Sequence, residues 1–296
     1  MSPQDPFSPV FVCRPALPLD TPQVLELSSH IWDGHDYIPY VWQDWLADPD
    51  GLLCVTEYGG KIVGFAKLTR LSASQWWLEG LRVRPEYQGR GIASQINDYL
   101  LEYWRQHGQG VIRLTTSSER VKVHRMCAHR GFVKAGEYTI YGAPVIDQPV
   151  GSFTPVLPEE ITQALEFIQQ SPMLPLLNSL MDHGWRWGEP SAEGLEKPVR
   201  DGNAWWWRDK QGLLIYWDDE DENKKYPVLH SIACSLDAMP ACLLDFRRLA
   251  ANRGYDHVEW NAPRNAELLP LLKKAGFKPW WDEVLFLFEK QHPESF

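Results

Sequence analysis

Residues 76–94 constrain the fold of this chain most, because they join a strand pattern to a helix pattern through a glycine-bearing turn. The first eight of them favour a β-strand, and Pro85 ends it because proline cannot donate to a sheet ladder. Residues 88–91, Gln-Gly-Arg-Gly, predict a tight turn, and apolar residues at helical spacing follow from Ile92. The stretch therefore predicts a strand-to-helix junction in an α/β protein.

The start of the predicted helix is suited to bind an anion. Its first amides have no intrahelical acceptor, a turn without bulky side chains lets a ligand approach them, and the helix dipole favours a pyrophosphate there. The P-loop pattern does not fit, because it needs Gly-Lys-Ser/Thr where Arg90-Gly91-Ile92 stands. The dinucleotide fingerprint does not fit either, because Ser94 replaces its third glycine and the next strand, 111–116, has no acid.

The pattern Gln88-x-x-Gly91-x-Ala93, preceded by Val83-x-Pro85, resembles the acetyl-CoA signature of the GCN5-related N-acetyltransferase (GNAT) superfamily. The resemblance implies the acyl-CoA N-acyltransferase fold, an α/β fold with a mixed sheet, and acetyl-CoA as cosubstrate. In that family the loop amides hold the pyrophosphate and the preceding strand runs beside the pantetheine arm. The cofactor-binding residues it implies are Leu81, Arg82, Val83, Gln88, Gly89, Arg90, Gly91, Ile92, Ala93 and Ser94. The alternative is an ordinary α/β turn whose glycines serve only packing.

Composition restricts the partners of the chain. Its 296 residues are enough for two domains, each with a core. A formal net charge of -10 and a pI near 5.4 disfavour nucleic acid and anionic membranes, which need a basic surface. No apolar run approaches the roughly 18 to 20 residues that cross a bilayer. Residues 1–9 lack the basic and apolar regions of a secretory signal.

Cysteine and histidine usage indicates a reducing compartment and no metal site. The five cysteines are odd in number, scattered and without Cys-x-x-Cys spacing, so we expect reduced thiols in a cytoplasmic protein. The nine histidines form no recognisable ligand array, so we expect no metal.

The two halves of the chain show a similar order of elements. In the first half, a hairpin at 52–68 precedes the central strand, a helix at 121–129 follows, and 133–146 is expected to close the sheet. In the second half, 234–240 stands where a phosphate-binding turn should fall, but it has no glycine and Asp237 would repel a phosphate. We expect an acetyl-CoA-binding catalytic domain at 1–146, a linker at 147–158 and a degenerate GNAT-like domain without a cofactor loop at 159–296.

Glu79 is the candidate general base. An amine must lose a proton before it attacks a thioester, and a charge within an apolar strand such as 76–83 is seldom placed there without a reason. Acids at this strand position commonly serve as base in the superfamily. The alternative is a structural ion pair with Arg82 or Arg113.

The reaction also needs a general acid and a group that stabilises the oxyanion. Many members of the superfamily carry a tyrosine, acting as general acid, where this chain has Cys127, so Cys127, His124, Tyr141 and water are the candidates for that role. A backbone N–H at Leu81 or Val83 could stabilise the negative charge on the thioester oxygen.

The acceptor-binding candidates are Asp33, Asp36 and Tyr37, because the segment between the first two helices lines the acceptor site in the superfamily. The alternative is that both aspartates only make local turn hydrogen bonds. Residues 32–39, together with 79–83, are similar to vertebrate histidine N-acetyltransferases, which implies a free amino acid such as histidine as acceptor.

The sequence thus predicts an enzyme that transfers the acetyl group of acetyl-CoA to a small amine, without nucleic-acid or membrane partners. It predicts no particular oligomeric state. The alternatives are an acyl-CoA-binding sensor or scaffold with little turnover, and an enzyme acting on a peptide or protein N-terminus.

Overall fold

The computed structural model describes residues 10–31, 35–151, 153–221 and 224–293. The chain divides into two compact units, unit 1 with residues 1–113 and 290–296, and unit 2 with residues 114–289. These limits differ from those expected from the sequence, and the catalytic domain at 1–146 and the degenerate domain at 159–296 stay predictions.

Unit 1 consists of helices packed against a mixed sheet. Neighbouring strands in this sheet are antiparallel except for the last strand, which is parallel to the strand beside it. Its elements are β1 (Val12–Pro15), α1 (Thr21–Ser28), α2 (Ile38–Ala47), β2 (Leu52–Tyr58), β3 (Lys61–Ser72), β4 (Gln75–Val83), α3 (Ile92–His107) and the start of β5 (Val111–Ser117). The strand order is β1-β2-β3-β4-β5, and only β4 and β5 are parallel. Val24, Trp42 and Phe65 belong to the apolar cluster that joins α1 and α2 to the sheet.

Unit 2 is a larger α/β unit. Its elements are α4 (Val121–His129), β6 (Val133–Pro144), β7 (Phe153–Pro155), α5 (Ile161–Gln170), α6 (Met173–Leu176), β8 (Met181–Asp182), β9 (Trp187–Gly188), α7 (Ala192–Arg200), β10 (Ala204–Trp207), β11 (Gly212–Asp221), β12 (Lys224–Cys234), α8 (Met239–Asn252), β13 (His257–Pro263), α9 (Leu268–Lys274), β14 (Lys278–Pro279) and most of β15 (Leu285–Gln291). The strand order is β15-β6-β13-β12-β11-β10-β7. A buried cluster containing Leu229, Phe246 and Trp260 packs α8 against this sheet.

Strand β6 has partners that the sequence did not predict. It pairs antiparallel with β13 on one side and with β15 on the other, and both of these strands come from the second half of the chain. The expectation that 133–146 closes the sheet of the first half is therefore wrong, because chain order does not determine which distant strand a segment pairs with. Strand β7 lies within the expected linker at 147–158 and pairs with β10.

Most local elements agree with the sequence patterns. Helix α3 begins at Ile92, α4 has the predicted limits, and β2 and β3 form the predicted hairpin around two glycines with positive φ. Across the described ranges, every helix is too short or too polar to traverse a bilayer. The same residues contain no group of three His, Cys, Asp or Glu side chains placed to hold a metal ion.

Candidate active site

The turn between β4 and α3 presents the first amides of a helix without covering them. Gly91 is the N-cap of α3, no side chain caps this end, and its φ is 83°. Gly89 has a φ of 78°, and a Cβ added at either glycine would meet no atom within 4 Å. The glycines are therefore explained by a left-handed backbone that side chains rarely adopt, and close packing does not account for them. An open, uncapped helix start of this kind fits a pyrophosphate.

A side-chain hydrogen bond fixes the turn to the strand that precedes it. Gln88 Nε2 donates to the carbonyl oxygen of Val83 at 3.3 Å, which ties the turn to the end of β4. The Arg90 guanidinium lies 5.1 Å from the centre of the Tyr87 ring, so the turn carries a positive charge beside its exposed amides. The charge of Arg90 favours a ligand that is an anion.

The other residues expected to bind the cofactor differ in how far their side chains are buried. Leu81 and Val83 are half-buried in β4, Ile92 is buried in the core, and Ala93 and Ser94 are half-buried in the first turn of α3. Because the side chain of Ile92 packs inward at 2% exposure, only its backbone could contact a ligand.

Strand β4 contains a β-bulge that the sequence patterns did not predict. Phe65 of β3 pairs with Arg82 and Lys67 pairs with Glu79, so Gly80 and Leu81 together oppose a single residue. Gly80 has a φ of 68°, and a Cβ there would lie 2.4 Å from the ring of Trp45. A glycine inside a strand pattern was the available signal. The bulge disrupts the regular ladder at the residues expected to stabilise an oxyanion.

Glu79 lies immediately before this bulge. The pairing of β4 with β5 covers Gln75–Trp77, so Glu79 is two residues past its end. It is half-buried, and its Oε1 accepts a hydrogen bond from Thr69 Oγ1. The expected base is thus placed where the sheet pairing changes and the backbone is irregular.

Arg82 and Asp36 form a buried ion pair that the sequence did not predict. The Asp36 oxygens accept from Arg82 Nε at 3.0 Å and Nη2 at 2.9 Å, and Asp36 is only 3% exposed. Asp36 is therefore held by more than local turn bonds, and an acceptor would meet a neutralised pair in place of a free carboxylate.

The tyrosine beside this pair is accessible. The Arg82 guanidinium lies 5.4 Å from the Tyr37 ring centre, and Tyr37 is 38% exposed. The structure thus brings Asp36, Tyr37 and Arg82 together. Asp33, the third acceptor candidate, lies outside the described residues, and its role stays a prediction.

The candidate acids belong to unit 2. Cys127 of α4 is fully buried, and burial raises the pKa of its thiol to about 11. Such a thiol stays protonated near neutral pH. Because the Cys127 side chain has no exposed surface, however, its burial favours a role in packing over a role as proton donor to the coenzyme A thiolate. His124 Nε2 lies 2.9 Å from the carbonyl oxygen of Ser117, and burial raises the pKa of Tyr141.

The corresponding junction of unit 2 connects β12 to α8. Helix α8 begins at Met239, which is fully buried, and Pro240 occupies its first turn. Proline has no N–H to offer an anion, and Asp237 is exposed in the turn before it. This junction therefore lacks the features that make the start of α3 suitable for a pyrophosphate.

Comparison with known sequences finds a family match for one segment of the chain. Residues 21–132 match the Acetyltransferase (GNAT) family, and this range includes the β4 bulge and the turn before α3. The segment 21–132 is therefore similar to the GNAT family over its whole length, and the rest of the chain lies outside this match.

Individual relatives are distant and match only part of the chain. It is 30% identical over 118 residues to human "Probable N-acetyltransferase 16", a match that covers 38% of this chain and 32% of that protein. It is 23% identical over 116 residues to the histidine N-acetyltransferase of Xenopus tropicalis, covering 38% and 36%. The matches thus span about a third of the length of these curated relatives.

A solved structure supports the fold over nearly the whole chain. The tandem GNAT protein from the clavulanic acid biosynthesis pathway has a TM-score of 0.61 at 16% identity, covering 98% of this chain and 100% of that one. At this identity the similarity concerns the fold alone. The predicted GNAT fold followed by a second GNAT-like domain is confirmed at that level.

Proposed function

We propose that this chain is an acetyl-CoA-dependent N-acetyltransferase whose acceptor is the amine of a small molecule, a free amino acid such as histidine. The observation that carries the proposal is the open helix start at Gly91 preceded, on the same strand-to-helix unit, by the bulge at Gly80 and the carboxylate of Glu79. The relatives named as a histidine N-acetyltransferase and an N-acetyltransferase support it.

Backbone groups, more than side chains, would bind the coenzyme. The amides of residues 89–94 would bind the pyrophosphate, and the backbone of Leu81–Val83 would flank the pantetheine arm. When bound, acetyl-CoA supplies an acetyl group activated as a thioester. Arg90 adds a positive charge near the phosphates.

Glu79 would remove the proton from the acceptor. An α-amine has a pKa near 8, so much of it is protonated at neutral pH and cannot attack. A half-buried carboxylate at the bulge can accept this proton directly or through a water molecule. The neighbouring amides at Leu81 and Val83 would donate to the oxygen on which negative charge develops.

Tyr37 and the Asp36–Arg82 pair would form one side of the acceptor site, with Asp33 as a further candidate. The buried pair carries no net charge, so it selects an acceptor by hydrogen bonds and ring contacts more than by attraction. For the proton returned to the leaving thiolate, Cys127 stays a prediction, and water could deliver it without contacting the buried thiol.

We propose small molecules as the partners and the cytoplasm as the compartment. The net charge of -10 provides no basic surface for nucleic acid. The five cysteines are free thiols, which supports a reducing environment.

The test is thiol release from acetyl-CoA with a panel of free amino acids, polyamines and short peptides. We expect release with at least one amino acid, and Glu79→Gln should lower turnover by roughly 10²-fold while coenzyme affinity changes little. Glu102→Gln, on the exposed face of α3, is the matched control and should behave as wild type.

Other outcomes would change the assignment. Tight coenzyme binding without release for any acceptor would favour the sensor, and release with peptides alone would favour an N-terminal acetyltransferase. Full activity of Glu79→Gln at every pH would remove Glu79 from the mechanism.

A further inference from the structure

Two cysteines of unit 1 lie on neighbouring strands and on the same face of the sheet. Cys13 of β1 is paired with Thr56 of β2, and Cys54 lies two residues before Thr56. Because side chains alternate along a strand, these three side chains share one face, and diagonal neighbours on it are close enough to interact. Burial, and after it the charge of both thiols, raises the pKa of Tyr99, so this face is the one that α3 covers.

Cys13 differs from the other cysteines of the chain in its exposure. It is half-buried, whereas Cys54, Cys127, Cys234 and Cys242 are all buried. Burial raises the pKa of Cys127 to about 11 and that of Cys234 to about 12, so both thiols stay protonated near neutral pH. A cysteine reacts with an oxidant as the thiolate, and only where the oxidant can reach it. Cys13 is therefore the cysteine that is open to reaction from solution.

Two hydrogen-bond donors converge on the Cys13 sulfur. The Thr56 hydroxyl lies 3.2 Å from it, and the Cys54 thiol is within hydrogen-bonding reach. The hydrogen bond from Cys54, opposed by burial and assisted by Thr56, lowers the pKa of Cys13 to about 7 from an ordinary value of 9.0. The same hydrogen bond raises the pKa of Cys54. The proton thus stays on the buried sulfur, and the negative charge lies on the accessible one.

The position of β1 suits a bond between these two sulfurs. A disulfide needs Cβ atoms about 3.5–4.5 Å apart, which is closer than most diagonal pairs in a ladder. Strand β1 is short and lies at the edge of the sheet, with β2 as its neighbour among the described residues. It can therefore move towards Cys54 without separating from a strand on its other side.

We propose that Cys13 is an oxidation site for peroxides and that Cys54 converts its oxidised form to a disulfide. The Cys13 thiolate attacks an oxygen of hydrogen peroxide, the O–O bond breaks, and hydroxide leaves and takes a proton from solvent, so that the sulfur becomes a sulfenic acid. The Cys54 sulfur then loses its proton and attacks the Cys13 sulfur. An S–S bond forms, the S–O bond breaks, and the hydroxide leaves with that proton as water. Peroxide is reduced to water and the thiol pair is oxidised.

This site goes beyond the proposed acetyl transfer, because neither sulfur belongs to the residues proposed to bind the coenzyme or the acceptor. The test adds hydrogen peroxide to the full-length protein without coenzyme. Thiol titration in denaturant should show the loss of two of the five thiols, and peptide mapping should find Cys13 linked to Cys54. Dithiothreitol should restore all five.

Variants separate the two steps. In Cys54→Ser the reaction should stop at a sulfenic acid on Cys13, which dimedone traps. Cys13→Ser should retain all of its remaining thiols under the same peroxide. Cys234→Ala, which removes a buried thiol outside the pair, is the matched control and should still lose two thiols.

Three results would overturn the proposal. Retention of all five thiols in excess peroxide would show that Cys13 is not reactive. Oxidation of Cys13 without a disulfide in the wild type would remove Cys54 from the reaction. A disulfide between other cysteines, or between two chains, would place the oxidation elsewhere. Should Cys54→Ser fail to fold, the peptide map of the oxidised wild type decides the same question.

Discussion

The junctions β4–α3 and β12–α8 connect the same kinds of element in units 1 and 2 but present different surfaces. The first opens its helix with Gly91, exposed and uncapped, while the second opens with a buried Met239 followed by Pro240. An anion needs donors that are both free and reachable, and the second junction provides neither. The two junctions therefore share their kinds of element but not the features that suit an anion.

The bulged strands that precede these junctions differ in the same way. In β4 the bulge consists of Gly80, which has no side chain, and Leu81, whereas in β12 the extra residue is His230 with its imidazole. Backbone amides suit a charge that develops in a reaction, while a side chain with a donor and an acceptor suits recognition of a particular molecule. The first bulge thus lies beside the proposed base Glu79, whereas the second carries an imidazole.

The largest expected effect tests the first junction. Gly91→Val should abolish coenzyme binding, because the side chain would occupy open space beside the amides and the φ of 83° is strained for valine. Calorimetry with coenzyme A measures the loss. Gly254→Val, at the end of α8 with a φ of 85° and no atom near its Cβ, is matched in strain and should leave affinity unchanged. Undiminished affinity in Gly91→Val would contradict the coenzyme site.

The next effect tests the first bulge. Gly80→Ala should lower the free energy of unfolding by roughly 2–4 kcal/mol, because the φ of 68° is unfavourable and the methyl group would overlap the Trp45 ring. Gly60→Ala has a similar φ but open space, so about 1 kcal/mol is expected there. Equal losses in urea unfolding would show that the contact with Trp45 is unimportant.

A third prediction concerns the acid beside the second bulge. Burial raises the pKa of Asp182 to about 8, against an ordinary value of 3.8, so the folded state holds a proton that the unfolded state has released. Stability should therefore fall as pH rises from about 4 to about 8, by about 1.4 kcal/mol per pH unit at most, and level off above.

Asp182→Asn should remove this dependence and raise stability near pH 8 relative to wild type. Urea unfolding across that pH range measures it, with the exposed Asp237→Asn as the control that retains the wild-type slope. A pH profile identical in Asp182→Asn and wild type would mean that the carboxyl is ionised in the folded state.

The smallest expected effect concerns Asp237. It tests whether the charge of this residue alone prevents coenzyme binding at the β12–α8 junction. Asp237→Asn removes the acid from the turn before α8, but Pro240 and the buried Met239 remain. We expect calorimetry to give one coenzyme per chain for both wild type and this variant. A second coenzyme site in the variant would show that repulsion by Asp237, and not the lack of reachable amides, distinguishes the two junctions.

The sequence predicted the parts of this molecule that depend on local chemistry. Gly89 and Gly91 require a left-handed backbone, Pro85 ends a strand, and both signals can be interpreted without knowing what surrounds them. The limits of α4 and the hairpin of β2 and β3 were predicted for the same reason. The resemblance to the GNAT family, which the match of residues 21–132 supports, followed from these residues together.

What the sequence did not predict depends on residues distant in the chain. Arg82 was expected beside the coenzyme or beside Glu79, but its guanidinium pairs with Asp36, forty-six positions away. The bulge that carries His230 and the end of the pairing between β12 and β13 are further examples, because no spacing in the sequence encodes either. The partners of β6 are another case of long-range pairing.

The position of β6 limits how the gene could be divided. A fragment beginning after residue 146 would contain β13 and β15 but not the strand between them, and two newly bared sheet edges attract other chains. Severing the chain in the 147–158 segment should accordingly leave the two pieces associated, whereas expressing the later piece by itself should give aggregates. Residues 133–144 thus belong structurally with the later strands, and moving the later part of the chain into another gene would require carrying β6 along.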